Sequence, residues 1–180
     1  CIRDRKKAHE KLNSFYVKIG YPDEWMDYSK LNIDESLSYY DNMVRATQFM
    51  SNYYIDKHVN KPTDRTEWLM TPQTINAYYN PTTNEICFPA GILQPPFFNA
   101  EADDACNYGA IGVVIGHEMT HGFDDQGAQF DKDGNLKNWW TPKDKAEFEK
   151  RTKVMSDFFD NIKVLPDLNA NGKLTLGENT

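Results

Sequence analysis

The sequence predicts an α+β protein that is mainly helical and has a small strand region beside one central helix. Long segments carry apolar residues at three- and four-residue steps, which is the period of an amphipathic helix. Between them, residues 71–98 contain short apolar stretches broken by proline and glycine, which is typical of strands joined by turns. The chain of 180 residues has about the length of one domain and can bury a substantial core.

The amino-terminal part, residues 1–70, is expected to be helical. A first helix over residues 1–19 should end near Gly20, because glycine and a following proline stop helices. A second helix is expected over residues 33–54, with Asp34 as its N-cap. Its apolar and aromatic side chains recur at helical spacing and are expected to pack in a core. They are Leu37, Tyr40, Met43, Val44, Phe49 and Met50.

Residues 71–98 form the predicted strand region. Strands are expected at residues 75–79 and 85–88, joined by a turn whose asparagine and proline residues favour that geometry. The edge of such a sheet can bind an extended peptide through main-chain hydrogen bonds. Taken alone, Asn76 is better explained as a polar residue at the end of a strand.

Residues 99–122 are expected to contain one helix, capped by Asp103 or Asp104 and broken at Gly122. Its apolar run, residues 111–116, leads directly into a His-Glu-Met-Thr-His sequence. The apolar run supplies the helix that this sequence needs in order to act as a metal site.

The His-Glu-x-x-His motif is the most specific chemical signal in the chain. On a helix, His117 and His121 project from one face, one turn apart, and can hold a single zinc ion. Glu118 lies beside them as a general base for a zinc-bound water, whose pKa zinc lowers to about 7. The alternative, two satisfied surface histidines, leaves Glu118 against an apolar face without a reason.

Spacing alone does not identify the third zinc ligand. One large class of zinc peptidases has a histidine six residues after the motif, where this chain has Gly127. The other histidines, His9 and His58, lie far upstream in charged segments. A carboxylate from a later helix is therefore expected. The downstream candidates are Asp124, Asp125, Asp131, Asp133, Glu147, Glu149 and Glu178.

The carboxy-terminal part, residues 123–180, should supply this ligand. A helix is expected over residues 141–161, because Thr141 can cap it and a proline follows at the first helical position. A loop at residues 169–172 should lead to the segment that carries Glu178. The side chains expected to face inward are Phe148, Thr152, Met155, Phe158 and Phe159.

Residues 131–135 have the composition of a calcium loop. Their glycine stands at the fourth place instead of the sixth, and the twelfth place is Pro142, so a turn is expected.

Four stretches resemble one known family. Residues 114–125 resemble the zinc helix of the neprilysin and endothelin-converting-enzyme family of zinc metalloendopeptidases, and residues 76–80, 88–98 and 176–179 agree with that family in the same order. The resemblance covers more than half of the chain. It implies a thermolysin-like zincin fold, with residues 1–180 forming a single fragment of a catalytic domain that hydrolyses peptide bonds of oligopeptides.

The resemblance also implies roles for individual residues. It makes Glu178 the third ligand of one zinc ion per chain, beside His117 and His121. It makes Asn76 and the backbone of Ala77 the groups that hold an extended peptide substrate.

Asp124 and Asp125 follow the motif closely and have two interpretations. They can accept a hydrogen bond from the far nitrogen of a zinc-bound imidazole, which strengthens the ligand, or they can cap the end of the helix. The sequence leaves both interpretations open.

The family has further residues that this sequence does not contain. An Asp four positions after the ligand Glu, a later His that stabilises the oxyanion and a later substrate-binding Arg would lie beyond Thr180. The chain is therefore expected to be part of a larger enzyme, and to be slow or inactive alone. The family works mostly outside the cytoplasm, so the resemblance favours an extracytoplasmic location.

Composition excludes some functions. The net charge of −7, with lysines interspersed among acids, argues against nucleic-acid binding. No apolar run approaches the roughly 20 residues that span a bilayer. The three cysteines Cys1, Cys87 and Cys106 form no Cys-x-x-Cys pair, which argues against a thiolate zinc site. Cys87 and Cys106 are expected to be reduced and buried.

A different class of function also fits the motif. A zinc-stabilised domain could grip peptides along the strand edge without cleaving them. Structural zinc sites usually have four protein ligands, whereas only three good ones are evident here.

Overall fold

The computed structural model describes residues 2–179. One compact unit contains the chain up to Tyr21 and from Met70 onward, and the other contains Pro22–Leu69. The described residues are mainly helical with two small sheets, which confirms the predicted fold class. The expected helical part, residues 1–70, is divided between the two units.

A three-stranded sheet forms the centre of the first unit. Its strands are β1 (Tyr16–Gly20), β2 (Tyr78–Asn80) and β3 (Glu85–Pro89), in the order β1-β3-β2. β3 pairs with β1 in parallel and with β2 in antiparallel orientation. Every residue of β3 is buried, as expected for the central strand.

The first helix, α1 (Ile2–Asn13), is shorter than predicted. Residues 16–20 form β1 instead of continuing the helix over residues 1–19. The tertiary partner decides this, because the backbone of β1 pairs with β3 from Tyr16↔Glu85 to Gly20↔Pro89. Nothing in the local sequence reveals that partner, some seventy positions away.

The strand expected at residues 75–79 begins only at Tyr78, and it includes Asn80, which was expected in the turn. Tyr78 lies opposite Cys87, so continuing the register places Asn76 opposite Pro89. Proline has no N–H to donate, and the ladder ends before that pair. Asn76 and Ala77 therefore precede β2.

The motif lies on α4 (Ile111–His121), which follows a separate short helix, α3 (Asp104–Gly109). The single helix predicted over residues 99–122 is thus interrupted at Ala110. The interruption arises because the Ile111 N–H donates to the Phe97 carbonyl (2.9 Å) instead of continuing the helical ladder. The N-cap Asp103 makes no side-chain capping bond.

The core of this unit lies between α4 and the sheet. Its buried apolar residues are Ala77, Ile86, Phe88, Ile92 and Ile111. Phe15, Tyr79, Leu93, Phe97, Val114 and Met119 pack against them.

The second unit contains α2 (Tyr39–His58). The predicted start near residue 33 and the Asp34 cap are wrong, because the Asp34 side chain closes a local turn by accepting from Ser36. Ser38 is the N-cap and accepts from the Asp41 N–H at 3.1 Å. The expected core packing is also wrong within the described structure, since no residue of α2 is buried.

The carboxy-terminal part contains α5 (Pro142–Asp160), whose Thr141 cap confirms the prediction. Met155 and Phe158 are exposed, contrary to expectation, whereas Phe148, Thr152 and Phe159 are half-buried.

The predicted loop at residues 169–172 begins inside a strand. β4 (Lys163–Leu165) pairs with β5 (Leu168–Asn169) in an antiparallel hairpin. Two short 3-10 helices, Gly127–Gln129 and Leu176–Asn179, complete the described elements.

Residues 131–135 form the predicted turn, held by the Asp131 Oδ1 atom, which accepts from the backbone N–H groups of Asp133 and Asn135. Cys87 is buried and free as expected, but Cys106 is exposed, and Cys1 lies outside the described residues. None of the helices in residues 2–179 is long and apolar enough to cross a bilayer.

Candidate metal centre

Helix α4 carries three of the expected site residues on adjacent faces. Ile111 and Glu118 are buried, and because they are seven positions apart both face the sheet. His117 and His121 lie to one side of this apolar stripe and are half-buried. The helical period therefore explains why the carboxylate is buried while the two imidazoles remain partly exposed.

The two imidazoles and the Glu178 carboxylate converge on one point. The Nε2 atoms of His117 and His121 lie 3.0 Å apart. Glu178 places Oε2 3.3 Å from His117 Nε2 and Oε1 3.9 Å from His121 Nε2. One donor atom from each of the three residues lies within 4.8 Å of the others, and this is the cluster of potential metal ligands found in residues 2–179.

Glu178 reaches the cluster on the short helix Leu176–Asn179. Leu176 anchors this helix by burying its side chain. The preceding residues are tied to the end of α5, because the Gly172 N–H donates to Asp160 Oδ1 at 2.7 Å. The Glu178 side chain itself is 70% exposed, so the cluster is open on that side.

Asp124 contacts the other ring nitrogen of His121. Its Oδ2 lies 2.9 Å from His121 Nδ1, and its Oδ1 accepts from the N–H groups of Gln126 and Gly127. The first contact favours a proton on Nδ1 and leaves the Nε2 lone pair facing the cluster. Asp124 thus contacts a histidine of the motif and also holds the turn that follows α4.

Asp125 has a different environment. No hydrogen bond or ion pair joins it to either histidine in the described part of the chain. Burial raises the pKa of its carboxyl, and the neighbouring Asp124 raises it further.

Gly127 explains why this site has no third histidine six positions after His121. A Cβ atom built on Gly127 would lie 1.8 Å from the His121 carbonyl oxygen. The chain folds back so closely onto the end of α4 that this position has no room for a side chain.

Glu118 lies in a low-dielectric environment between the cluster and the sheet. Burial is the largest influence on the pKa of its carboxyl and raises it. The two histidines lower this pKa, Glu178 raises it, and the backbone N–H of Tyr79 lowers it. Sequence reasoning missed Tyr79, although its place next to the residues of the predicted binding edge was a signal.

The donor set fits zinc. Two nitrogens bound to one tetrahedral zinc ion at about 2.0–2.1 Å lie roughly 3.3 Å apart. The Nε2 atoms of His117 and His121 are 3.0 Å apart, close to that value. Three protein ligands and an open fourth position are the arrangement of a catalytic zinc site.

The predicted substrate-binding residues lie at the start of β2. Asn76 is exposed and Ala77 is buried. The Ala77 N–H donates to the Asn76 side-chain oxygen at 2.9 Å. β2 contacts α4, so this edge adjoins the helix that carries the motif.

The fold is that of the zincin metallopeptidases, with the motif helix packed on a small sheet. Within this class, the model of peptidase family M13 matches residues 76–180, and the chain belongs to that family.

Known proteins agree with this assignment over nearly the whole chain. Neprilysin-11 of Caenorhabditis elegans is 48% identical over 96% of this chain, and a neutral endopeptidase of Lactobacillus helveticus is 45% identical over 97%. The chain spans only 21% and 27%, respectively, of the lengths of these two relatives.

A solved structure has the same backbone. Zinc metalloprotease ZMP1 of Mycobacterium tuberculosis, solved in complex with an inhibitor, superposes with a TM-score of 0.91 at 50% identity. The match covers 98% of this chain and 27% of that one.

Proposed function

We propose that this chain is the zinc-bearing part of a metalloendopeptidase that hydrolyses peptide bonds of oligopeptides. His117, His121 and Glu178 would hold one zinc ion per chain. The observation that carries the proposal is the convergence of these three donors within 4.8 Å, with a buried carboxylate on the next residue of the same helix.

Glu118 would act as the general base. A bound zinc ion would supply Lewis acidity and would lower the pKa of a water molecule to about 7. The Glu118 carboxylate would accept a proton from the attacking water and deliver it to the leaving amine. Its burial keeps bulk water away from the carboxylate, and the sheet behind it fixes its position.

Asn76 and Ala77 would bind the substrate backbone. They precede β2 on the sheet edge next to α4, where an extended peptide can add main-chain hydrogen bonds. The Asn76 side chain is exposed and can turn its amide from the Ala77 N–H to a peptide.

The remainder of the protein would complete the site. The matched residues make up only 21% and 27% of the two relatives, and Glu178 is largely exposed here. The group that stabilises the oxyanion and the arginine that binds the substrate would come from that remainder.

The Glu118→Gln variant of the full-length protein tests this proposal. It should retain one equivalent of zinc and lose about 100- to 10,000-fold in kcat on an oligopeptide, because the amide cannot accept the proton. Glu101→Gln, on an exposed turn, is the matched control and should leave both quantities unchanged.

Retained peptide cleavage in Glu118→Gln would remove Glu118 from the mechanism. A wild-type protein that binds zinc and peptide without cleaving would instead be a zinc-stabilised peptide-binding domain.

A further inference from the structure

Lys11 is buried in the interior of the unit that carries the metal centre. Its side chain comes from the last turn of α1, and the residue is only 1% exposed. Its ammonium donates to the carbonyl oxygens of Gly122 at 2.7 Å, Gly127 at 2.7 Å and Phe130 at 2.8 Å. All three N–H donors of the ammonium are therefore used on one segment.

This segment, residues 122–130, begins directly after the second histidine of the motif. Lys11 binds carbonyls at both ends and in the interior of this segment. One cation therefore bonds to the turn at three points along its length. Asp124 lies inside the turn, and its Oδ1 accepts from the N–H of Gly127, the residue whose carbonyl Lys11 binds.

The other buried lysine of this unit shows that such an arrangement is not the only way to bury an ammonium. Lys18 lies 2.8 Å from the Glu85 carboxylate, in a direct ion pair. The ammonium of Lys11 instead binds backbone carbonyls, with the Tyr79 and Phe123 rings 5.7 and 5.6 Å away. A cation buried against carbonyls fixes the course of the backbone that supplies them.

The position of Lys11 is itself fixed. Asn84, which is fully buried at the β2–β3 turn, donates through Nδ2 to the Lys11 carbonyl at 3.3 Å and to Ser14 Oγ at 3.0 Å. The end of α1 is thereby joined to the sheet, and the backbone of Lys11 is held in place.

We propose that Lys11 is a positioning residue for the metal centre. It holds residues 122–130 in the one course that places the Asp124 carboxylate against His121 Nδ1. The inference rests on the proposed function, because it takes His121 as a zinc ligand. Lys11 lies outside residues 76–180, which carry the family match, and no motif points to it.

A mutant cycle in the full-length protein tests the inference, with zinc affinity measured by chelator competition. Lys11→Met keeps the length of the side chain and removes the cation, so the zinc Kd should rise about 10-fold. Asp124→Ala should raise it about 10- to 100-fold. The double variant should have the same zinc Kd as Asp124→Ala alone, because Lys11 acts through Asp124.

Lys18→Met is the matched control. It also removes a buried ammonium, but one that is bound to Glu85 and not to residues 122–130, and it should leave the zinc Kd unchanged. Equal loss of zinc affinity in the two lysine variants, or additive losses in Lys11→Met and Asp124→Ala, would overturn the positioning role.

If Lys11→Met does not fold, Lys11→Arg carries the test, because it keeps the charge and displaces the donors. It should increase amide hydrogen exchange in residues 122–130 and raise the zinc Kd. Unchanged exchange and affinity would contradict the inference.

A wild-type protein that binds no zinc would instead refute the proposed function, and the inference with it. Normal zinc binding in the wild type together with an unaffected lysine variant would refute the inference alone.

Discussion

Asp124 Oδ2 lies 2.9 Å from His121 Nδ1, on the side of the imidazole opposite the Nε2 atom that faces His117. The carboxylate is buried, and its second oxygen is held by two backbone N–H groups. It therefore cannot swing away from the ring without breaking the turn after α4. This contact joins the candidate metal centre to the backbone that follows it.

Removing that carboxylate should weaken zinc binding. Asp124→Ala leaves the His121 ring without its partner, so the zinc Kd of the full-length protein should rise about 10- to 100-fold. Asp125→Ala removes an adjacent carboxylate that is not bonded to either histidine, and it should change the Kd by less than about 3-fold. Equal effects of the two variants in chelator competition would contradict the assignment.

Gly177 should be intolerant of a side chain. A Cβ atom there would lie 2.9 Å from Asp124 Oδ2, and the Asp124 side chain is held by its own contacts and cannot give way easily. Gly177→Ala should therefore displace the Asp124 carboxylate or the helix that carries Glu178, and should raise the zinc Kd about 10-fold.

Gly109→Ala provides the comparison, since a Cβ at Gly109 meets no atom within 4 Å. It should leave the zinc Kd unchanged. Normal zinc affinity in Gly177→Ala would show that Asp124 and the Leu176–Asn179 helix are not as closely packed as described.

Asp4 should stabilise the fold in a pH-dependent way. Its Oδ2 accepts from the N–H of Thr141, the cap of α5, at 2.7 Å. Burial raises the pKa of Asp4, but the Thr141 N–H and Arg3 outweigh it and lower the pKa to about 2. A pKa below its ordinary value of 3.8 means that the ionised carboxylate favours the folded state.

This stabilisation is present above pH 3.8 and is lost as the pH falls through about 2. In the zinc-free protein, Asp4→Asn should lower the urea midpoint at pH 7, and its difference from the wild type should shrink towards pH 2. Asp167→Asn, on an exposed turn, should match the wild type throughout. A difference for Asp4→Asn that persists unchanged at pH 2 would contradict this account.

The helix that carries the motif could be predicted from sequence because its signals are local. The spacing of His117, Glu118 and His121 within one helical turn needs no tertiary information, and the apolar run before them specifies the helix. The approach of Glu178 to the two histidines could not be predicted in this way. Several downstream carboxylates were equally acceptable on their chemistry, and only the resemblance to a family singled out Glu178.

The missed features depend on contacts between distant segments. The local sequence of β1 predicts the end of a helix, and its strand conformation comes from pairing with β3. The break between α3 and α4 comes from a bond between the Ile111 N–H and the Phe97 carbonyl. Lys11 could not be found either, because a lysine on a charged helix is ordinarily exposed.

The exposed apolar residues of α2 have a related explanation. Their helical spacing correctly predicts an amphipathic helix, but periodicity does not say which surface covers the apolar face. Tyr40 is 74% exposed and Val44 is 49% exposed in this chain. The proposal that the chain works within a longer protein includes a surface that covers this face.

The most direct test of the central claim is the zinc coordination in the full-length protein, measured by anomalous diffraction from crystals grown with zinc. One ion should lie about 2.0–2.1 Å from the Nε2 atoms of His117 and His121 and about 2.0–2.2 Å from a carboxylate oxygen of Glu178. An ion that excludes Glu178, or zinc bound away from the two histidines, would contradict the account.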